Sequence, residues 1–407
     1  MKIIIIGAGP AGLMCATTAR NMGADTTIIE KNEKPGKKLY ITGKGRCNLT
    51  NQCDIQSFLP NIVSNSKFMM SSLNNFDSYD TIDFVQDRGV PLKVERGNRV
   101  FPTSDKSSDV IKALSRDAGD IRYNETVLEI ITDQNKVVGV KTDISEYSAD
   151  AVVIATGGVS YKATGSTGDG YKFATALGHD IVSIRPGLVP MLSNDEWVRS
   201  IRGLSLKNVK ATFVSNGQEI TSEFGEMLFT DRGLSGPIIL TMSSKVNKIK
   251  FVNAKILIDL KPALDYAQLN ARILRDFWES KNKDFANSLK NLLPSSLIPI
   301  VVDQSGIFAS RKVNTITKEE REKLVSVLKG LVVNIKSLDD INFAIVTAGG
   351  VDTRQINPKT MQSKIVEGLY FAGEVIDVDA LTGGFNIQIA LSTGKCAGEW
   401  AVRNCEK

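Results

Sequence analysis

A short apolar run, Lys2-Ile3-Ile4-Ile5-Ile6, leads without a break into Gly7-Ala8-Gly9-Pro10-Ala11-Gly12, and that junction admits few folds. The run is β-branched and far too short to span a membrane, so it predicts a buried strand of a parallel sheet. A G-x-G-x-x-G directly after such a strand predicts a phosphate loop. Its first two glycines permit a tight turn and close backbone approach to a pyrophosphate, and the third lets the next helix pack on the strand. The helix N-terminus then offers free N–H groups and the positive end of a dipole. A second strand, Thr26-Thr27-Ile28-Ile29-Glu30, sets a carboxylate 18 residues beyond Gly12. There it is expected to accept hydrogen bonds from the adenosine ribose hydroxyls, favouring an unphosphorylated ribose.

The far end of the chain decides between NAD and FAD. Gly368-Leu369-Tyr370-Phe371-Ala372-Gly373-Glu374 is an apolar strand that ends in an acid, and Gly383-Gly384 opens a final helix. A dehydrogenase domain alone needs neither. In an FAD protein of this fold the returning strand brings its acid to the ribityl or pyrophosphate region, and the helix N-terminus faces the flavin edge where negative charge collects on reduction. Noncovalent FAD is therefore expected, since no His or Tyr sits in an attachment motif. No second G-x-G-x-x-G is present, so NAD(P)H is expected only as a transient reductant.

With 407 residues the chain can form two or more domains, and no stretch approaches an uninterrupted membrane span. The early isoleucines meet the glycine loop without a cleavage site, so no signal peptide is expected. Five cysteines without a C-x-x-C pair argue against a disulfide framework or structural zinc and fit a reducing cytoplasm. Residues 186–345 carry 22 Lys and Arg against 17 Asp and Glu, spread along the sequence, which predicts a solvated surface rather than a nucleic-acid site.

Along the chain, a glycine- and lysine-rich loop runs from Lys34 to Asn51. A hairpin is predicted at roughly 121–142 about the turn Asp133-Gln134-Asn135. A buried strand ends in Ala155-Thr156-Gly157-Gly158, where flavoproteins of this fold pass over the cofactor, and a helix over 170–177 follows. After Arg185-Pro186-Gly187 the pattern changes to alternating strands. Between about 265 and 303 it is helical, with Leu269, Ile273, Leu274, Phe277 and Trp278 expected on one apolar face. A helix over 318–329 and a strand over 331–335 lead back to Ala344-Ile345-Val346. The reading is a nucleotide domain, 1–187 plus 344–407, carrying an insertion of 156 residues over 188–343.

Several segments are more specific than a general FAD fingerprint: Gly43-Lys44-Gly45-Arg46-Cys47-Asn48, Phe229-Thr230-Asp231-Arg232-Gly233, Thr347-Ala348-Gly349-Gly350-Val351 and Gly383-Gly384-Phe385-Asn386-Ile387-Gln388. In this combination the chain resembles, over essentially its whole length, the bacterial flavoprotein family that includes aminoacetone oxidase and the flavoprotein reductases associated with bile-acid dehydroxylation. The resemblance implies a Rossmann-like FAD domain with an inserted antiparallel β-barrel that carries a helical subdomain. It implies Gly7, Gly9, Ala11 and Gly12 at the pyrophosphate, Glu30 at the ribose, Val127 at adenine through its backbone, and Glu374, Asn386 and Ile387 at the cofactor's centre and flavin. Arg46 is implied near the pyrophosphate and flavin. Lys31, Lys38, Gly45, Ala155, Thr156, Gly157, Gly373 and Gly384 complete the expected cofactor site. Relatives commonly carry His where this chain has Asp231, so no imidazole role transfers there.

Arg46, Cys47 and Asn48 are the candidate catalytic residues. A neighbouring cation would lower the Cys47 pKa and favour thiolate. A buried cysteine is more often a small apolar side chain, and no second cysteine completes a redox motif. The only histidine, His179, follows Leu177-Gly178 and reads as a helix-terminal capping or surface residue rather than a base. No protein-bound metal is expected. The function expected is flavin-mediated hydride or electron transfer on a small organic substrate, as an amine or aminoketone oxidase or an NAD(P)H-linked reductase, with nucleic acid and membrane not expected as partners. The alternative is a flavoprotein whose insertion binds a macromolecule such as tRNA. The insertion is also expected to roof the substrate pocket.

Overall fold

The computed structural model describes residues 1–405 and divides into two compact units, Met1–Gly187 with Ile341 onward, and Leu188–Asp340. At the centre of the first unit is a five-stranded sheet in the order Leu369–Phe371, Ala151–Ile154, Lys2–Ile6, Asp25–Glu30, Asp120–Tyr123. All its pairs are parallel, with Ile5 opposite both Val153 and Ile28. Such a sheet is covered on both faces, which is why its central strands are runs of Ile and Val rather than alternations. Ile3, Ile5, Ile28, Val152 and Val153 are fully buried, and each contributes roughly 1.5–3 kcal/mol.

The opening helix Pro10–Asn21 starts at a proline that needs no N–H partner. It ends where Gly23 takes a left-handed φ of 90° and donates to the Arg20 carbonyl. The closing helix Phe385–Cys405 packs against it backbone to backbone. A Cβ on Gly394 would stand 2.3 Å from the Ala11 carbonyl oxygen, and one on Gly398 would stand 2.4 Å from that of Cys15. Two glycines four residues apart thus draw the helices together and bring both N-termini toward the same end of the sheet.

The predicted hairpin forms from Val127–Asp133 and Lys136–Thr142, and Gln134 and Asn135, with φ of 45° and 64°, make its tight turn. Residues 121–123 do not belong to it. They lie in the edge strand of the parallel sheet, paired with Ile28–Glu30. His179 is not a surface residue: it is buried, edge-on to Phe371, with Nε2 2.8 Å from Ser363 Oγ. Its Nδ1, 3.3 Å from the Ala174 carbonyl at the end of the helix Asp169–Ala176, agrees with the capping role.

The second unit is a closed antiparallel barrel. Its strands run Met191–Ser193, Gly233–Ser235, Gln218–Phe229, Ser205–Ser215, Lys255–Asp259 and Leu331–Leu338, and the last pairs with the first. Closure removes free strand edges. Its helical part includes Tyr266–Glu279, Ile298–Ser305 and Lys318–Lys329. The first of these begins in a capping box between Asp265 and Gln268. It buries Leu269, Ile273 and Phe277, but Leu274 and Trp278 lie off that face and are exposed, contrary to the sequence expectation. At 100° per residue, a three-residue stripe suffices to seat the helix, and the two outer residues fall beyond it. No helix among the described residues is long and apolar enough to cross a membrane.

Candidate FAD site

The three glycines of the phosphate loop do different work. Gly7 has a φ of 105°, and a Cβ there would come within 2.7 Å of the Ala155 carbonyl oxygen. A Cβ on Gly12 would stand 2.0 Å from the Gly7 carbonyl oxygen, so only glycine lets the helix turn back on the strand. Around Gly9 a Cβ would meet nothing within 4 Å. That open face adjoins the helix N-terminus, which no side chain caps. The first-turn amides have no acceptor within their helix, and their positive end suits a pyrophosphate.

Glu30, at the end of the second strand, is buried and grips this loop. One carboxylate oxygen accepts from the Ala8 amide at 2.8 Å, and the other accepts from the Asn32 amide at 2.8 Å and Asn32 Nδ2 at 2.6 Å. Lys31, beside it, turns to Asp169 at 2.6 Å and to Thr167. Asp169 is held down to about 2: burial opposes this, and its bonds from Lys31, Thr167 and Lys172 outweigh burial.

A second cluster assembles where the returning strand ends. Lys38 Nζ lies 2.6 Å from Glu374 Oε2, and Glu374 Oε1 accepts from the Thr347 amide at 2.8 Å and Ser160 Oγ at 3.1 Å. Thr347 Oγ1 in turn accepts from the amides of Val159 at 2.9 Å and Ser160 at 3.1 Å. Burial alone would raise the Glu374 pKa, but the Lys38 ammonium and these donors hold it below the usual glutamate range. Gly157 has a φ of 72° beside this carboxylate, and Thr156 Oγ1 is buried without a hydrogen-bond partner. Gly373, with a φ of 77°, donates to Thr393 Oγ1 at 2.9 Å, and a Cβ there would stand 2.9 Å from the Ala11 Cβ. The strand end, the opening helix and the closing helix therefore meet at one place. Ser160 and Thr347 were not assigned from sequence; Thr347 lies in a quoted motif, whereas nothing in the local pattern marks Ser160.

The loop bearing the catalytic candidates is sharply bent: Gly43, Lys44, Gly45 and Cys47 all have positive φ. Arg46 stacks 4.2 Å from the Phe101 ring centroid and binds Glu95 at 2.8 Å and Asp105 at 3.4 Å. The Glu95 bond leads in holding its pKa up, and the two carboxylates offset its charge locally. The Cys47 thiol is fully buried, and burial pushes its pKa up to about 12 despite a bond from Thr42, so it is a neutral thiol near pH 7. Asn48 Oδ1 is buried and has no hydrogen-bond partner.

At the closing helix, Gly384 has a φ of 98°, and a Cβ there would collide with the Thr50 carbonyl at 2.4 Å. Asn386 ties the preceding turn, accepting from the Ala380 amide at 2.9 Å and donating to its carbonyl at 2.7 Å. Ile387 is partly buried beside it. Val127 is buried at its strand start and paired with Thr142. Among the described residues no cluster of His, Cys, Asp and Glu is placed to hold a metal ion.

An open glycine face beside an uncapped helix start, a gripped acid on the second strand, and unpartnered buried oxygens on Thr156 and Asn48 fit FAD. Fold and site together define a Rossmann-type FAD-dependent oxidoreductase. The chain belongs to the HI0933-like family, whose Rossmann-domain model matches residues 1–400. It is 31% identical to the ribosomal RNA dihydrouridine synthase of Escherichia coli over 96% of this chain and 95% of that protein. It is 28% identical to the 3-dehydro-bile acid delta(4,6)-reductase of Clostridium scindens over 98% of this chain and 99% of that protein. Among solved structures, the fold is shared with a flavocytochrome c3 fumarate reductase at a TM-score of 0.54, 20% identity and coverage of 100% of this chain and 78% of that one. It is shared also with the 3-ketosteroid-delta4-(5alpha)-dehydrogenase of Rhodococcus jostii, at 0.53, 15% identity, and 98% and 96% coverage.

Proposed function

We propose that this chain is a reductase that adds two hydrogens across a carbon–carbon double bond conjugated to a carbonyl, and that the double bond belongs to a uracil ring in RNA. The reaction is supported by a shared chemistry among relatives matched over nearly their full length, and the RNA by the name of the relative at 31% identity. Dihydrouridine is uridine reduced at C5=C6, a bond conjugated to the C4 carbonyl. A 3-dehydro bile acid with double bonds at positions 4 and 6 is an extended enone. In both, a hydride goes to the carbon remote from the carbonyl and a proton to its neighbour. The substrate gains two electrons, and an external two-electron donor of the nicotinamide class supplies them in each cycle.

Bound FAD would supply the hydride. On this reading the Gly7–Gly12 loop and the start of the opening helix hold the pyrophosphate, with Ala11 near it, and Glu30 holds the ribose. Lys38 and Glu374 fix the central part, with Thr156 and Gly157 beside them. Gly384, Asn386 and Ile387 set the closing helix so that its positive end faces the flavin's pyrimidine edge. Cys47 packs the loop as a thiol and transfers no proton. Binding is noncovalent on this reading, since no His or Tyr sits in an attachment motif.

A second reading, a small steroid-like enone as substrate, is favoured by the match to the bile-acid reductase. Nucleoside mass spectrometry separates the two. Ribosomal RNA from a strain lacking the gene is expected to lose a dihydrouridine that the wild-type gene restores and a Gly9→Val variant does not. Unchanged dihydrouridine content would reject the RNA reading.

A further inference from the structure

We propose that the outer face of the helical part of the barrel-bearing unit, formed by residues 274–283 and 308–312, is a docking surface for RNA; this deepens the reading of RNA as substrate and rests on it. The helix Tyr266–Glu279 seats itself through Leu269, Ile273 and Phe277, and the flank beyond that stripe is turned toward solvent. That side carries Leu274 and, one turn on, Trp278, which are 44% and 73% exposed. Phe308, 80% exposed, comes from a distant segment that the backbone binds to the same region. Phe285 N donates to Arg311 O at 2.8 Å, Ala286 N to Ala309 O at 3.1 Å, Val313 N to Lys283 O at 3.1 Å and Asn314 N to Lys281 O at 3.2 Å. Two large aromatic side chains are thus offered to solvent from strips of chain joined by backbone hydrogen bonds.

The charges around them select the occupant. Lys281 Nζ sits 4.5 Å from the Trp278 ring centroid. Arg275, Lys281 and Lys283 are exposed, and none has a carboxylate within ion-pair distance among the described residues. Residues 274–283 and 308–312 hold five Lys and Arg against two Asp and Glu, with Arg311 and Lys312 paired to Glu320 and Asp284. Free cations beside exposed rings match the alternation of phosphate and base in a single-stranded segment: the rings stack on bases and the cations neutralise phosphates. Arg275, Trp278, Lys281 and Lys283 lie within nine residues of one another, and the fold adds Phe308 from the segment bonded beside them.

The test uses the full-length FAD-loaded protein, a fluorescein-labelled RNA hairpin with uridines in its loop, and fluorescence anisotropy across a salt series. Trp278→Ala and Phe308→Ala are each expected to weaken binding roughly tenfold, and Trp278→Phe to keep most of it. Replacing Lys281 and Lys283 together by Ala should flatten the log–log salt slope by roughly 1.4. Flavin content and melting temperature should stay at wild-type values. Unchanged affinity and slope in these variants overturn the proposal, as does loss of flavin or of folding that accounts for the weakening. So does self-association or binding to anionic vesicles that depends on Trp278 while RNA binding does not. RNA that binds through these residues but is not reduced refutes the proposed reaction and leaves the surface standing. RNA reduced equally well by wild type and variants refutes the surface and leaves the reaction.

Discussion

Lys38 and Glu374 stand 336 residues apart in the chain, and their side chains meet at 2.6 Å, the ammonium against the carboxylate at the end of the returning strand. The contact ties the glycine- and lysine-rich segment to the last strand of the parallel sheet. It also gathers Ser160 and the Thr347 amide around the same acid.

Glu374→Gln should therefore cost on the order of 1–3 kcal/mol in stability near neutral pH, because the mostly buried Lys38 ammonium loses its counter-charge. The folded pKa of Glu374 is depressed, so its stabilisation is complete above the ordinary glutamate range and is lost as pH falls through that range and below it. Urea unfolding should show a gap between wild type and variant near pH 7 that narrows on acidification. A gap independent of pH would mean that the carboxylate charge contributes nothing.

Glu30→Ala removes the acceptor of the Ala8 and Asn32 amides together with the proposed ribose contact. Loss of charge-assisted hydrogen bonds of this kind is worth roughly 1.5–3 kcal/mol. Flavin released on dialysis, followed by absorbance, should rise clearly above wild type. Equal retention would remove Glu30 from the cofactor site.

Gly394→Ala places a methyl where the Ala11 carbonyl already stands, so the closing helix must shift away from the opening one. A loss of about 1–3 kcal/mol is expected. FAD affinity should fall with it, since both helix N-termini move. A variant with wild-type melting temperature and flavin content would contradict the close crossing.

Cys47 in the folded protein should resist iodoacetamide near pH 8, because its thiol is buried and burial pushes its pKa up to about 12. Cys47→Ser should keep most of the activity. Rapid labelling accompanied by inactivation would restore the thiolate reading.

What the sequence made legible was the part held by local rules. A strand, a glycine loop, a helix and an acid at fixed spacing announce themselves because Gly7 and Gly12 answer contacts that lie within a few residues or at the end of an adjacent strand. Alternation announced the antiparallel strands of the second unit in the same way, whereas their closure into a barrel was implied only by the family resemblance. What stayed hidden depends on residues brought together from afar. Ser160 has no local mark, and its role appears only when Lys38, Thr347 and Glu374 converge on it. Helical periodicity placed Leu274 and Trp278 with the buried face, because both are apolar and adjacent to buried positions; only packing shows that three residues suffice to seat that helix. The partners of Arg46 were hidden in the same way: the structure pairs it with Glu95 and Asp105, neither of which its own motif contains.

Reduction of a carbonyl-conjugated double bond in RNA by an FAD enzyme can be followed in a single anaerobic turnover. The purified protein is photoreduced, mixed with uridine-containing RNA, and followed for return of the oxidised-flavin band while the RNA is digested and weighed for dihydrouridine. The band should return, and one dihydrouridine should appear for each flavin reoxidised. A flavin that stays reduced with RNA yet is reoxidised by a conjugated steroid enone, or by oxygen alone, would contradict it.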